Sequence, residues 1–316
     1  MRIGIVVDAT CDLPVDYLRR QHIGVLPIRI HLDGQTLLDQ RDPQAITGFL
    51  RGGLCERGHA AETEPCSVAE ISQLFLERLV IDYDCVFCLT ITATRSGIHA
   101  NTSQASFAIL KDYRPIRQAA GVTGPFLMRV VDTENLFAAQ GVTAVEAVRM
   151  RSAGLAPGEM REQLERLAQH TYGYMLPRDL YYLRARGQKK GDRSVGWVAA
   201  ALGTTLDIKP VLRAYRGETG PVGKVRGFEH GCELMFANTV RAVRAGLLTP
   251  TVCVSYGGPT RELENLPGYA DLAAVCREHE VEFYASPMSI TGMINVGPGA
   301  LIIGFAATTH EFSMTP

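Results

Sequence analysis

The sequence predicts an α/β protein in which an N-terminal, mostly parallel sheet flanked by helices is followed by an α+β domain with a mixed sheet, with a ligand cleft between the two. Three observations predict it. Through the first half, apolar runs alternate with helix-patterned segments, as parallel strands joined by crossover helices require. At residues 152–158 the stretch SAGLAPG gathers small residues with Pro and Gly, a break in pattern that marks a boundary. Beyond it, strand-like and helical segments no longer alternate regularly. The expected division is therefore 1–156 for the first domain and 157–316 for the second.

The elements follow in order. RIGIVVD (2–8) reads as a buried strand and is followed by a helix after Pro14. IGVLPIRIHL (23–32) reads as one strand, with a helix near 43–50 behind it. YDCVFCLTI (83–91) precedes a helix over 98–110, and FLMRVVD (126–132) precedes one over 137–151. In the second half, helices are expected near 157–170, 178–186 and 196–202. Strands are expected at TYGYML (171–176), LDIKPVLRAY (206–215), TVCVSYG (251–257), VEFYAS (281–286) and ALIIGF (300–305). GPVGKVRG (220–227) has a Gly-Lys pair but neither the spacing nor the Ser/Thr of a nucleotide loop, and reads as a hairpin or linker.

Composition narrows the function classes. Of 316 residues, 46% are hydrophobic and 21% charged, an ordinary globular balance that leaves room for an internal apolar cavity. Lys and Arg number 32 against 33 Asp and Glu, so the basic footprint of a nucleic-acid binder is missing. The apolar run before Asp8 is too short for a signal sequence, and the run from Ile294 to Ala307 is broken by Gly and Pro before it reaches the length of a membrane span. The expectation is a cytoplasmic protein without a transmembrane segment. Eight cysteines are scattered; Cys85 and Cys88 sit three apart on a strand and point to opposite faces, so they hold no metal jointly and read as buried free thiols. No metal or cofactor is expected.

Enzyme signatures are missing: there is no GxGxxG after a strand, no P-loop, no HExxH and no GxSxG elbow. What remains is a set of hydroxyl-rich strand ends. Asp8, Thr10 and Asp12 follow the first strand, Thr63 precedes a Ser67-to-Glu70 capping box, and Thr92, Thr94 and Ser96 follow YDCVFCLTI. In an open α/β sheet such loops line the crevice at the carboxyl ends of the strands, although helix capping also accounts for them. Residues 289–305, SITGMINVGPGALIIGF, place Asn295 and a Gly297-Pro298-Gly299 turn inside an apolar run. Read as two core strands and a turn, the run admits two roles for that turn. Either Asn295 bonds its own backbone, or the turn forms a nest of N–H groups facing an anionic or carbonyl head. RARGQKKGDR (184–193) gathers Arg184, Arg186, Lys189, Lys190 and Arg193, either a solvated face or a docking patch for an acidic partner or a membrane surface.

Taken together, these motifs resemble the DegV family of bacterial lipid-binding proteins. IVVDATCDLP with VLPIRIHLDGQTLLD is similar to the family's start, its Asp-Ser-Thr here being Asp8-Ala9-Thr10. TEPCS (63–67), ITATRSG (91–97), VVDTENLFAAQG (130–141), KKGDR (189–193), ALGTTLDIKPVL, KVRG and GPGA (297–300) follow in the family's order. The resemblance implies two α/β domains enclosing one long-chain fatty acid, its tail in an apolar tunnel and its carboxyl held by hydroxyls and a His. It also implies, for some members, presentation of the acid to a separate fatty acid kinase. Carried over, the head-group positions are Thr63, Thr92 with Ala93, and Asn295, with Thr94, Ser96, Gly297 and Gly299 beside them. Where the family has a Ser pair this chain has Thr92-Ala93, and where it has His before the GPG turn this chain has Asn295. The expected function is a non-catalytic fatty acid carrier. Two other readings stay open: an enzyme acting on a small anionic metabolite through Asp8, Asp12 or Asp132, and a regulatory subunit that has lost lipid binding.

Overall fold

The computed structural model describes residues 1–59, 61–190 (side chains to 185) and 207–315. In chain order its strands are β1 (Ile3–Asp8), β2 (Ile23–Leu26), β3 (Ile28–Leu32), β4 (Gln35–Asp39), β5 (Ala61–Pro65), β6 (Cys85–Thr90) and β7 (Leu127–Asp132). They continue with β8 (Thr171–Leu176), β9 (Ile208–Tyr215), β10 (Glu218–Arg226), β11 (Thr251–Tyr256), β12 (Glu282–Pro287) and β13 (Leu301–Ala306). The architecture is α/β, with a parallel sheet flanked by helices and a C-terminal mixed sheet.

The parallel sheet has the order β2-β1-β6-β7. All six residues of β6 are buried, because helices on both faces exclude water and every side chain must be accommodated by packing. Cys85 and Cys88 lie in this strand, and all eight cysteines are buried free thiols.

The run 23–32 is not the single strand expected from its apolar pattern. Pro27 lacks the N–H a continuous ladder needs, so the chain leaves the parallel sheet after β2 and continues as β3 in a second, smaller sheet. That strand turns through Asp33-Gly34, both at positive φ, the conformation that a tight two-residue hairpin demands. It pairs with β4 on one side and β5 on the other, both antiparallel, placing Ile30 opposite Thr63. The resulting small sheet has the order β4-β3-β5.

The mixed sheet runs β10-β9-β8-β13-β11-β12, in which only the β11–β12 pairing is parallel among the described residues. GPVGKVRG forms part of β10, antiparallel to β9, the hairpin alternative of its sequence reading. Helix Phe228–Ala245 packs against one face of this sheet, covering a core that includes Tyr172, Tyr174, Val254, Leu272 and Phe305. Helix Ala138–Ser152 covers the other face and also contacts β1 and β6. Its Ala, Gly and Val residues are almost all buried, and its backbone comes close to β13: a Cβ on Gly304 would lie 2.3 Å from the Cα of Ala139. One apolar cluster therefore runs from Val7 and Leu89 through Val145 to Met175 and Ile302, joining the two large sheets. SAGLAPG is the turn between that helix and helix Pro157–Ala168. The helix expected over 196–202 lies outside the described residues.

Residues 289–305 are a helix, a turn and a strand, not two strands. Ser289 caps helix Ile290–Val296 by accepting from the Gly292 N–H at 3.1 Å, and Gly297, at φ +103°, ends it. An apolar run buried on all sides carries no period from which helix and strand could be told apart. No helix among the described residues is long and apolar enough to cross a membrane.

Candidate functional site

The candidate site is assembled at the carboxyl end of the parallel sheet. Asp8, wholly buried at the end of β1, accepts from the Thr10 N–H (2.9 Å) and hydroxyl (2.5 Å), the Ile91 N–H (2.6 Å) and the Gln140 amide (3.1 Å). Burial pushes its carboxyl above the ordinary range, and these hydrogen bonds oppose that shift. The carboxylate thus fastens two strand ends to helix Ala138–Ser152.

From Ile91 the chain turns through Thr92–Ser96. The Thr92 N–H donates to the Asn135 carbonyl (2.9 Å), the Ala93 N–H to Asp132 Oδ2 (3.1 Å) and the Arg95 N–H to the Thr92 carbonyl (3.0 Å). Thr92 is buried, with its hydroxyl 3.3 Å from that of Thr94, which donates to the Gly217 carbonyl at 2.5 Å. Ser96 Oγ accepts from the Ile98 N–H at 3.2 Å, a capping contact. Gly217 lies in the two-residue turn between β9 and β10, with Arg216 and Gly217 both at positive φ, and its N–H donates to the Glu134 carbonyl at 2.8 Å. The threonine turn is therefore tied to the mixed sheet. Burial, then the neighbouring Asp132, raises the Glu134 carboxyl, while Arg216 opposes the rise.

Thr63 sits in β5, and Asn101 of helix Ile98–Ala108 donates to the carbonyl of Cys66, the residue that follows this strand, at 2.7 Å. Ser67 and Glu70 form the capping box their spacing predicts. Helix Ile290–Val296, which carries Asn295, packs against β5. The structure thus places β5 beside both the helix behind the Thr92–Ser96 turn and the helix of Asn295.

The N–H groups of both glycines in the GPG turn are bonded within the protein. The Gly297 N–H donates to the Met293 carbonyl and the Gly299 N–H to the Gly257 carbonyl, each at 2.8 Å. These two donors are spent within the protein. The glycines instead admit two side chains. A Cβ on Gly297 would lie 2.6 Å from Tyr182 Cδ2, and one on Gly299 would lie 2.7 Å from Arg178 Cδ. Tyr182 in turn donates to the Cys55 carbonyl at 2.7 Å. The Asn295 amide donates to the Thr291 carbonyl, one turn earlier in its helix, at 2.7 Å. The sequence reading missed Gly217, Glu134, Tyr182 and Arg178; of these only the Arg216-Gly217 pair carries a local turn signal.

The carboxylates of the metabolite-enzyme alternative are engaged in the structure. Asp8 is bonded as above, Asp12 pairs with the buried Arg41 at 3.2 Å, and Asp132 accepts from the backbone of Ala93 and Glu134. No group of three or more His, Cys, Asp or Glu among the described residues could hold a metal ion. Of the basic run, Arg184 is exposed; Arg193 and the side chains of Arg186, Lys189 and Lys190 lie outside the described residues.

A family model described as an uncharacterised protein of the DegV family matches residues 2–308. A DegV domain-containing protein of Xanthomonas campestris pv. campestris is 62% identical over 99% of this chain and 100% of its own length. A fatty acid-binding protein of Thermotoga maritima is 25% identical over 98% of this chain and 99% of its own. Among solved structures, a DegV lipid binding protein from Thermotoga maritima matches with a TM-score of 0.75 at 23% identity, covering 98% of this chain and 100% of that one, which is a likeness of fold.

Proposed function

The chain belongs to the DegV family, and on that premise we propose that it binds one long-chain fatty acid between units 1–156 and 157–316. The observation that carries this reading is the similarity, over essentially the whole chain, to a relative named as a fatty acid-binding protein. The geometry supports it, because the helix that follows Thr92 to Ser96 and the helix of Asn295 both meet the segment of β5 and Cys66, beside Thr63. In this reading the carboxyl is held by the hydroxyls of Thr63 and Thr92, with Thr94 and the Ala93 backbone beside them and the Asn295 amide opposite. Gly297 and Gly299 shape the turn behind Asn295. The tail lies against apolar side chains, each buried methylene contributing about 0.8 kcal/mol, so affinity comes from the tail and orientation from the head.

The protein performs no chemistry of its own in this reading. It works in the cytoplasm and presents the acid to a partner kinase, and Arg184, Arg186, Lys189, Lys190 and Arg193 dock that partner or a membrane surface. Reversing Arg186 and Lys190 to Glu should then weaken partner or anionic-vesicle association in a salt-dependent way and leave lipid affinity unchanged. Loss of lipid with partner association intact would assign the run to the pocket instead.

The deciding experiment is mass spectrometry of freshly purified protein under native and denaturing conditions, with lipid extraction. One fatty acid released per chain is expected, together with a rise in melting temperature on adding palmitate or oleate. A bare chain with no thermal shift would refute the reading, and a released polar metabolite would favour the enzyme alternative.

A further inference from the structure

Helix Ile290–Val296 has only seven residues, too few to hold itself in place by its own hydrogen bonds. Its first turn is fixed from outside. Asp39, at the end of β4 and 1% exposed, accepts through Oδ2 from both the N–H and the hydroxyl of Thr291, each at 2.8 Å. Asp12 accepts from the Ser289 N–H at 2.8 Å. Arg41 donates to Asp12, to the Leu13 carbonyl (3.0 Å) and to the Pro287 carbonyl (3.1 Å), and its own N–H donates to Asp39 Oδ1 at 3.3 Å. Arg41 adopts this geometry at φ +59°, a conformation a non-glycine residue keeps only where its surroundings enforce it.

The chain of contacts continues one step further. The carbonyl of Thr291 receives the Asn295 amide at 2.7 Å, so Thr291 has Asp39 on its N–H and hydroxyl and Asn295 on its carbonyl. Both bonds to Asp39 reach a carboxylate that is buried, where charge-assisted hydrogen bonds are strongest. Because a helix turns through 3.6 residues, residues 291 and 295 share a face, and a rotation of the first turn carries Asn295 with it.

We infer that Asp39 is a positioning residue for head-group recognition, acting through Thr291 to set the orientation of Asn295. The inference rests on the fatty acid reading above. It assigns a function to a carboxylate that lies 252 positions from its partner in the chain.

The test is a double-mutant cycle on the full-length protein, with palmitate affinity measured by calorimetry below the aggregation limit of the ligand. Asp39→Asn should weaken binding by about tenfold in the parent and leave it unchanged in an Asn295→Ala background. Thr291→Ser, which keeps both donors, should bind like the parent. Thr291→Val, which removes only the hydroxyl, should repeat the Asp39→Asn pattern at smaller amplitude, and it carries the cycle if Asp39→Asn fails to fold. Equal losses with and without Asn295 would reduce Asp39 to a general structural role and overturn the inference. So would full affinity in both Asp39→Asn and Thr291→Val. Binding by the parent with either of these outcomes would leave the fatty acid reading standing, whereas a parent that binds no palmitate would overturn both.

Discussion

At position 295 this chain has Asn, where the resemblance to the family implies a histidine. A histidine there would titrate near pH 6.5, whereas an amide donates without titrating. Palmitate affinity should therefore be nearly flat between pH 6 and pH 8, and Asn295→His should introduce a slope the parent lacks. Asn295→Ala should cost on the order of 1–3 kcal/mol of binding, the penalty for an unmet polar partner. Equal affinity of the Ala variant at every pH would return Asn295 to a purely structural place in its helix. His310 gives a second pH-dependent expectation, this time in stability. Its ring packs edge-on to Tyr172, Tyr174 and Phe305, and burial, followed by Arg241 and Arg213, lowers its pKa to about 4. Between about pH 4 and 6.5 the unfolded chain takes up a proton that the folded chain refuses. Stability should rise with pH across that window and be lost as pH falls through it. Melting curves from pH 4 to 7 should show a shallower slope for His310→Gln than for the parent.

At the scale of elements, the contact of helix Ala138–Ser152 with β13 leaves no room for a single added carbon. Gly304 in β13 faces the backbone of Ala139, not the end of a flexible side chain, and backbone cannot give way cheaply. Gly304→Ala should destabilise the protein by about 1–3 kcal/mol or more through overpacking, read as a lower urea midpoint with an unchanged slope. An unaltered midpoint would mean that the helix is free to move off the mixed sheet. The turn between β9 and β10 works differently. It contributes backbone, the Gly217 N–H and carbonyl, to the Glu134 carbonyl and the Thr94 hydroxyl, so its contact with the threonine turn is independent of side-chain identity except at the φ that glycine allows.

Across the whole molecule, the two large sheets share a core and are further linked through buried Arg41, which pairs with Asp12 beyond β1 and donates to the Pro287 carbonyl at the end of β12, Arg41 and Asp12 each being 1% exposed. Burial raises the Asp12 carboxyl to about 6 and Arg41 opposes that rise. Replacing Arg41 with Ala leaves a buried carboxylate without its cation, a change that costs about 3–5 kcal/mol. Because a raised pKa means the folded chain holds a proton the unfolded chain has released, stability attributable to Asp12 falls as pH rises from about 4 to about 6. The Arg41→Ala deficit should accordingly be smaller at pH 5, where Asp12 can be neutral, than at pH 8. Urea melts at the two pH values check this, and an identical deficit would exclude Asp12 as its source.

What the sequence by itself determined is the part governed by local pattern. Strands buried on both faces must be apolar throughout, so β1 and β6 and the helices behind them are legible from alternation, as are the half-buried edge strand β7, the Ser67–Glu70 cap and the threonine turn after β6. β5 was illegible because AETEP carries no apolar run; it is a strand only because β3 offers a partner. Helix Ile290–Val296 was misread because full burial erases periodicity, and helix Phe228–Ala245 was missed although it is the longest helix described. Tertiary structure alone decided that the glycines of the GPG turn seat Tyr182 and Arg178, and that Asp39 and Arg41 hold the helix of Asn295. Those contacts join residues far apart in the chain through single hydrogen bonds, and such a bond leaves no spacing or composition for a sequence pattern to record.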